Sequence, residues 1–317
     1  MPLALWRPVL AGASLLLLVQ AAAKEPVGEP ITRPVESGTS APLTPPVQSG
    51  ARVSRVLDAR PAGSGYRPSR GYVIAQQIPG AGAALGDYVL QNDRISVVIT
   101  DVLHASGNAL SGGYIIDGFL NERPVDSLGQ LHLYLDNTYP RMARFESISH
   151  VADPGDPDAV RILAEGRDSQ DPSIRIWQTY TLRLGSNLVK IETGVTPTRE
   201  PLTDFQVGDA FAWGSTQQFL PGTGFEASGR FFQAPWIGGM GRGVAYGYFA
   251  EGGVEISGPL GSTWIDPNVT SGTVRVNETL ICRRRFVVGR DLAEIYRAWL
   301  DETGTSYSEV RGRVIEE

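Results

Sequence analysis

The strongest constraint on the fold is a long β-hairpin pattern in the middle of the chain. Residues 174–184 alternate in polarity, a Gly185-Ser186 turn follows, and alternation resumes over 187–195. One face of the first strand is apolar and consists of Ile174, Ile176, Tyr180, Leu182 and Leu184. The other face consists of Arg175, Trp177, Thr179, Thr181 and Arg183, and the tryptophan predicts partial cover there too. Long strands with both faces partly covered are typical of two packed sheets.

The same period-2 alternation recurs from residue 71 onward between turn residues. It is visible over 87–90, 95–99, 113–120, 131–135, 244–249, 253–256 and 273–288. We therefore predict an all-β domain over residues 71–305, a large two-sheet antiparallel β-supersandwich. The high counts of glycine (37) and proline (22) fit a chain with many turns and few long helices.

One helix is predicted, over residues 291–303. Asp291 and Glu294 resemble a capping box, and Gly304 is a typical stop residue. An apolar face at helical spacing is formed by Leu292, Ile295, Tyr296, Trp299 and Leu300. We expect this face to pack against a sheet.

The N-terminus has the pattern of a secretory signal peptide. Arg7 precedes an apolar run over 9–19, and Ala21-Ala22-Ala23 follows. We expect cleavage after Ala23 and a periplasmic or extracellular location; the alternative is an uncleaved anchor. No later segment has the length and apolarity of a membrane span, so none is expected after signal cleavage.

Two further segments lie outside the predicted sandwich. Residues 24–70 contain eight prolines and no aromatic residue before Tyr66, which predicts a disordered linker. Residues 306–317 have the pattern of a strand that begins without partners. This strand either closes a sheet edge or is the first strand of a following, missing β domain.

Charge and cysteine content exclude some classes of function. Residues 71–317 contain 20 basic and 30 acidic residues with no basic stripe, which argues against a nucleic-acid partner. Cys282 is the single cysteine of the sequence, so no intrachain disulfide is possible. Its apolar neighbours predict a buried side chain.

Standard catalytic signatures are absent. The histidines His104, His132 and His150 have no zinc-site spacing, and neither a nucleophile elbow nor a phosphate-binding loop occurs. We expect no metal and no cofactor. His132 alternates with three leucines and is either a general acid/base at a cleft or a hydrogen-bonded structural histidine.

Residues 208–243 are unusually rich in glycine and aromatic residues. Sugars bind by stacking on such rings, while polar side chains take the hydroxyl groups. The predicted ligand-binding residues are Trp213, Trp236, Gln218, Gln233 and Arg242. The alternative is that these aromatic rings cover the end of the sandwich as core.

Several motifs resemble a galactose-mutarotase-like β-supersandwich module of secreted bacterial proteins. They lie at 86–93, 111–117, 180–184, 208–214 and 219–224, and 310–314 resembles the first strand of a carboxypeptidase-regulatory-like domain. In such proteins these modules often precede a metal-dependent hydrolase of the PHP type, whose metal motifs this chain lacks. Mutarotases with this fold use a histidine and a glutamate. That pair has no matching positions here, so the resemblance implies no catalytic residues.

Three functional hypotheses follow. The missing signatures favour an exported, non-catalytic domain that binds carbohydrate or supports a neighbouring domain. The second is a sugar-active enzyme of the mutarotase or lyase kind, with His132 as acid/base and Asp209 or Arg242 assisting. The third is a structural cell-envelope protein. The expected partner is accordingly a glycan or an envelope component.

Overall fold

A computed structural model of the protein describes residues 52–55, 82–84, 86–151, 155–225 and 231–308. The predicted signal peptide and most of the 24–70 linker lie outside the described residues. So do residues 309–317, where most of the predicted last strand falls. Among the residues described, no helix combines the length and apolarity needed to cross a membrane.

The described residues contain eighteen strands and one α-helix. In chain order these elements are β1 (Arg52–Arg55), β2 (Tyr88–Gln91), β3 (Ile95–Ile99), β4 (Ile115–Leu120), β5 (Gln130–Leu135), β6 (Ala143–Val151), β7 (Ala159–Asp168), β8 (Ile174–Arg183), β9 (Leu188–Pro197), β10 (Leu202–Ala212), β11 (Gln217–Phe219), β12 (Phe231–Ala234), β13 (Ile237–Met240), β14 (Ala245–Ala250), β15 (Ile256–Pro259), β16 (Trp264–Ile265), β17 (Asn268–Val274), β18 (Leu280–Gly289) and α1 (Leu292–Thr303).

The strands form two antiparallel sheets, which confirms the predicted all-β architecture. Sheet A has ten described strands in the order β1-β2-β3-β4-β5-β10-β17-β15-β12, with β16 paired to β10. Sheet B has eight, in the order β11-β13-β14-β18-β9-β8-β7-β6. Both sheets contribute to one apolar cluster, in which Leu131 and Phe211 of sheet A join Tyr180 and Phe286 of sheet B. The core therefore lies between the sheets.

The predicted hairpin corresponds to β8 and β9. Residues of β8 alternate strictly between buried and partly or fully exposed, so the apolar face is inward and the Arg175–Arg183 face outward. Cys282 on neighbouring β18 is buried as predicted, with its thiol directed to the Val207 carbonyl of sheet A. The alternation alone was sufficient to assign these faces, because a strand side chain has only two directions available.

One short strand lies within the predicted linker. Arg52–Arg55 pairs antiparallel with β2, and the Arg52 guanidinium donates to Gln91 Oε1 at 2.9 Å through Nε. The sequence pattern does not predict this strand, because four residues at a sheet edge carry almost no hydrophobic alternation. Arg52–Arg55 is thus a strand inside the segment that the sequence predicts as a linker.

The predicted helix is confirmed as α1. Asp291 accepts a hydrogen bond from the Glu294 backbone N–H at 2.9 Å, and Gly304 ends the helix in the left-handed conformation. Buried Leu292 and Ile295 pack with Trp236 and Phe249 against the outer face of sheet B.

Candidate functional site

A cavity of about 410 Å³ opens on the outer face of sheet A, away from the core. It is bounded by β5, β10, β15 and β16, by the loop between β3 and β4, and by the loop that follows β5. Its polar and aromatic lining consists of Asn108, His132, Tyr134, Asn137, Tyr139, Phe211, Trp264 and Asp266. We refer to it below as the His132 cavity.

Strand register explains why His132 faces this cavity. Leu131 and Leu133 point inward to the core, so His132 between them points outward. Its cross-strand partner on β10 is Ala210. Alanine is small, and Ala210 and His132 both line the cavity.

His132 is buried without any hydrogen-bond partner among the described residues. Only 5% of the residue is exposed, and neither Nδ1 nor Nε2 has a partner in the described part of the chain. Its nearest ring neighbour is Tyr114, edge-on at 6.0 Å between centroids. Burial lowers the pKa of His132 to about 4, against a smaller opposing effect of Asp209. The ring is therefore neutral at pH 7 and has one unused donor and one unused acceptor.

Two side chains with an acidic O–H group, Asp266 and Tyr134, also line the His132 cavity. Burial raises the pKa of Asp266 to about 7. The pKa of Tyr134 is raised by burial first and then by the nearby Asp266 and Tyr139. Asp266 therefore exchanges its proton near neutral pH, where it can both donate and accept hydrogen bonds.

Aromatic side chains stand at the rim. Trp264 is 41% exposed and Tyr139 is 64% exposed. Rings of this kind offer an apolar face with a polar edge, which suits ligands that have both C–H and O–H surfaces. The combined arrangement is an aromatic rim beside polar side chains, among which the His132 ring has no hydrogen-bond partner in the described residues.

Asp209, a candidate assistant to His132, lies on the opposite face of sheet A. It is buried between the sheets and bonds to Arg284 and to the Tyr248 hydroxyl. It pairs in register with Leu133, while its neighbour Ala210 is opposite His132. The structure therefore does not bring Asp209 into the cavity, and its role is to neutralise a buried guanidinium.

Trp213 and Gln218 form part of the core. The Trp213 ring is stacked on Phe211 at 4.7 Å between centroids, and only 1% of Trp213 is exposed. Its indole N–H donates to Gln218 Oε1 at 2.9 Å. Neither side chain presents an open surface, so the alternative interpretation as core applies to both.

The other three predicted ligand-binding residues lie in separate parts of the structure: Trp236, Gln233 and Arg242. Trp236 is buried beneath α1 and stacks on Phe219 at 5.4 Å between centroids. Gln233 lies on edge strand β12, where its amide donates to Glu255 at 2.6 Å. Arg242 is exposed in the turn between β13 and β14. The structure brings none of the three beside His132.

Sequence reasoning missed Trp264 and Asp266. They flank Ile265, which is fully buried in the core, so period-2 alternation places both on the outer side of β16. That signal spans two strand residues only. The neighbourhood of His132 arises because β5 and β16 both pair with β10, a relationship that local sequence does not encode.

No metal centre is evident in the part of the chain that the structure describes. Within those residues, no group of three or more His, Cys, Asp or Glu side chains is arranged to hold an ion. The chemistry available at the His132 cavity is hydrogen bonding, aromatic stacking and proton exchange.

Comparisons with known proteins give partial likenesses of fold only. No family model and no curated protein matches the sequence. An α-mannosidase from Enterococcus faecalis V583 is 10% identical, with a TM-score of 0.45 over 70% of this chain and 34% of the mannosidase. A TPR-domain containing protein from Parabacteroides distasonis is 11% identical, with a TM-score of 0.45 over 72% of this chain and 50% of that protein.

A candidate aldose 1-epimerase from Escherichia coli K12 is 8% identical, with a TM-score of 0.40 over 65% of this chain and 99% of that protein. The chain thus spans between a third and a half of the first two structures. Likenesses this weak carry no argument about activity, and the proposals below are drawn from the residues of this chain.

Proposed function

We propose that the protein binds a small, neutral carbohydrate in the His132 cavity. The observation that carries the proposal is the buried imidazole of His132, whose two nitrogens have no partner among the described residues. An unsatisfied buried polar group costs roughly 1–3 kcal/mol. Two ligand hydroxyl groups that reach the ring from the cavity, one accepting from the ring N–H and one donating to the other nitrogen, would recover that cost on binding.

The rest of the cavity favours a sugar over other small polar ligands. Trp264 and Tyr139 supply exposed rings on which the C–H face of a pyranose can stack. The side chains of Asn108, Asn137 and Asp266 provide donors and acceptors for hydroxyl groups. Among the described residues the lining holds no arginine or lysine, so an anionic ligand would find no counter-charge from them.

The test is a titration of the protein with neutral mono- and disaccharides, followed by calorimetry and tryptophan fluorescence. We expect Trp264→Ala and His132→Phe each to weaken binding by about tenfold or more, the loss of one anchor or one buried hydrogen-bonding group. Phe231→Ala is the matched control, because Phe231 is 64% exposed on edge strand β12 and does not line the cavity. Unchanged affinity in both cavity variants, or no binding of any sugar, rejects the proposal.

Acid–base catalysis on a bound sugar is the second candidate function. It is favoured by the presence of a neutral imidazole and a carboxyl group of pKa about 7 in one cavity. The test is to measure anomer interconversion of aldoses by NMR with the wild type, His132→Ala and Asp266→Asn. A wild-type rate equal to that of buffer, or a folded His132→Ala variant with full turnover, excludes it.

We also propose that the chain is exported. The support is the sequence pattern of residues 1–23, with a basic residue, an apolar run and an Ala-rich end. Mass spectrometry of the protein from the native cell envelope or medium is expected to give a mature N-terminus at Lys24. Retention of residues 1–23 would instead support an uncleaved anchor.

A supporting role beside a neighbouring domain, or in the cell envelope, is the remaining alternative. Its expected signature is pull-down of a protein partner together with indifference to every sugar in the titration above. That result would favour a scaffold over a carbohydrate-binding domain.

A further inference from the structure

The outer face of sheet B carries two cavities that meet at one tryptophan. The larger, of about 790 Å³, extends from Trp177 along β8 and β9 toward α1. The smaller, of about 500 Å³, extends from the same residue toward β6 and the β17–β18 turn. Trp177 lines both, so together they form one groove with the indole at its centre. We call it the Trp177 groove.

Gly194 sets the position of this indole. Trp177 and Gly194 are cross-strand neighbours in β8 and β9. A Cβ atom added at Gly194 would lie 2.2 Å from the indole Cε2 and Nε1 atoms, so the ring covers the glycine. The indole therefore rests on the sheet and leaves part of its surface exposed to both cavities. It forms a platform on the floor of the groove.

The groove is rich in charge but has none in excess. In the larger cavity five cations are matched by five carboxylates; the residues are Arg161, Arg183, Lys190, Arg283, Arg285, Asp156, Glu192, Glu251, Asp301 and Glu302. In the smaller cavity Arg167 and Arg175 are matched by Glu146 and Glu165. A polyanion would find no net positive field here.

Most of these charges are already paired with one another. Arg283 Nε lies 2.8 Å from Glu192 Oε2, and Arg183 Nε lies 3.1 Å from Asp156 Oδ2. A charged ligand would have to separate such pairs to bind. A hydroxyl group can donate to the carboxylate and accept from the guanidinium without separating them. The lining thus matches a neutral, polyhydroxylated ligand.

The length of the groove indicates the form of that ligand. The outward row of β8 runs from Arg175 through Trp177, Thr179 and Thr181 to Arg183, which at the usual strand rise is about 27 Å. This length is far greater than a single sugar, the ligand proposed for the His132 cavity, would need. A chain of several sugar units, stacked on Trp177 at its middle, would occupy it.

We propose that the Trp177 groove binds an extended, neutral oligosaccharide or polysaccharide. It is separate from the His132 cavity, because the two sites lie on the outer faces of different sheets and share no lining residue. The proposal goes beyond the function proposed above and does not depend on it. A protein with both sites would hold a glycan chain on one face and a small sugar on the other.

The test uses the full chain and neutral gluco-, manno-, galacto- and xylo-oligosaccharides of increasing length, with affinity measured by calorimetry. We expect affinity for one series to rise with length and to fall about tenfold or more in Trp177→Ala. Thr179→Arg is the second variant, because it blocks the groove floor while leaving the Trp177–Gly194 contact intact. Phe231→Ala is the matched control and retains wild-type affinity for the long chains, because Phe231 is exposed and lines neither site. Trp264→Ala reports separately on the His132 cavity.

The outcomes separate the two sites. Loss in Trp177→Ala and Thr179→Arg, with Phe231→Ala unaffected, supports the groove as a glycan site. Four results overturn it: unchanged binding in both groove variants, no binding of any neutral series, loss only in Trp264→Ala, and capture of heparin in place of neutral glycans with strong salt dependence. The third of these would leave the His132 cavity as the only sugar site.

Discussion

Arg284 and Asp209 join the two sheets through an ion pair that is fully enclosed in the core. Arg284 Nη2 lies 2.9 Å from Asp209 Oδ1, and the two side chains are 0% and 2% exposed. Nη1 also donates to Thr193 Oγ1 at 2.7 Å and Nη2 to Gln178 Oε1 at 2.8 Å, while Nε donates to the second Asp209 oxygen. The Tyr248 hydroxyl donates to the second Asp209 oxygen. A buried charge is tolerated here because every polar group around it is satisfied.

Removing the acid from this pair is expected to destabilise the fold severely. Asp209→Ala leaves the Arg284 charge buried and unpaired, for an expected loss of about 3–5 kcal/mol in the free energy of unfolding. Urea denaturation measures it. The control is Arg283→Ala, which removes the exposed neighbouring arginine and its pair with Glu192, with an expected loss below about 1 kcal/mol. Equal losses in the two variants would contradict the structural role given to Asp209.

The buried imidazole of His132 predicts a loss of stability in acid. Its folded pKa of about 4 lies below the unfolded value near 6.5, so the folded state binds this proton less readily. The stability contributed is complete above pH 6.5 and is lost as pH falls toward 4, by at most about 1.4 kcal/mol per pH unit.

The measurement is urea unfolding at several pH values in wild type and His132→Phe, which lacks the titrating group. We expect the wild type to lose more stability than the variant between pH 6.5 and 4. His150→Gln on the exposed side of β6 is the control and should follow the wild-type curve. Parallel curves for wild type and His132→Phe would show that the ring is solvated in solution.

Asp266 predicts a dependence of opposite sign. Its folded pKa of about 7 lies above the unfolded value near 3.9, because burial disfavours the charged form. The associated stability is complete below pH 3.9 and is lost as pH rises through 7. Asp266→Asn, which stays neutral, should therefore gain stability relative to wild type as pH rises from 4 to 8. No relative gain over that range would mean that Asp266 is ionised at low cost.

The sequence predicted those parts of the fold that depend on local pattern. The β8–β9 hairpin could be predicted from its alternating polarity, and α1 from its capping box and its apolar face. Each of these patterns extends over ten or more adjacent residues. For Trp213 the sequence left two interpretations open, a ligand-binding ring and a core side chain. Asp209, Phe211 and Trp213 have the same parity along the chain, and all three are buried in the structure.

The candidate sites were beyond the reach of sequence patterns. The His132 cavity exists because Trp264 and Asp266 meet His132 across β10, more than a hundred residues away in the chain. Trp177 was recognised as lying on a partly covered face, yet its platform depends on Gly194 in the next strand. Which strands pair is decided by packing of the whole core, and not by any one segment.

The cap of α1 offers a test of local helix energetics. The Asp291 carboxylate accepts the Glu294 N–H at 2.9 Å, which satisfies one of the free donors at the helix start. Asp291→Ala should cost about 1 kcal/mol in unfolding free energy. Asp291→Asn keeps an acceptor at the same place and should cost less. Equal losses in the two variants would mean that the lost charge, and not the hydrogen bond, accounts for the effect.

The contact between Trp177 and Gly194 predicts a strong coupling in a double-mutant cycle. Gly194→Ala places a Cβ within 2.2 Å of indole atoms, so the ring must move and we expect a loss of about 1–3 kcal/mol in unfolding free energy. In a Trp177→Ala background the same change has nothing to displace. The coupling energy between the two sites should therefore exceed about 1 kcal/mol, as measured by urea unfolding.

Gly272→Ala is the matched control for this cycle. Gly272 also lies in a strand, and an added Cβ would meet only the flexible end of Leu280 at 3.3 Å. It should show no coupling to Trp177→Ala. Displacement of the indole in Gly194→Ala should in addition shift tryptophan fluorescence and weaken binding of long glycans, because the platform of the Trp177 groove is then lost. Additive losses in the cycle, with glycan binding unchanged, would show that the indole does not rest on Gly194.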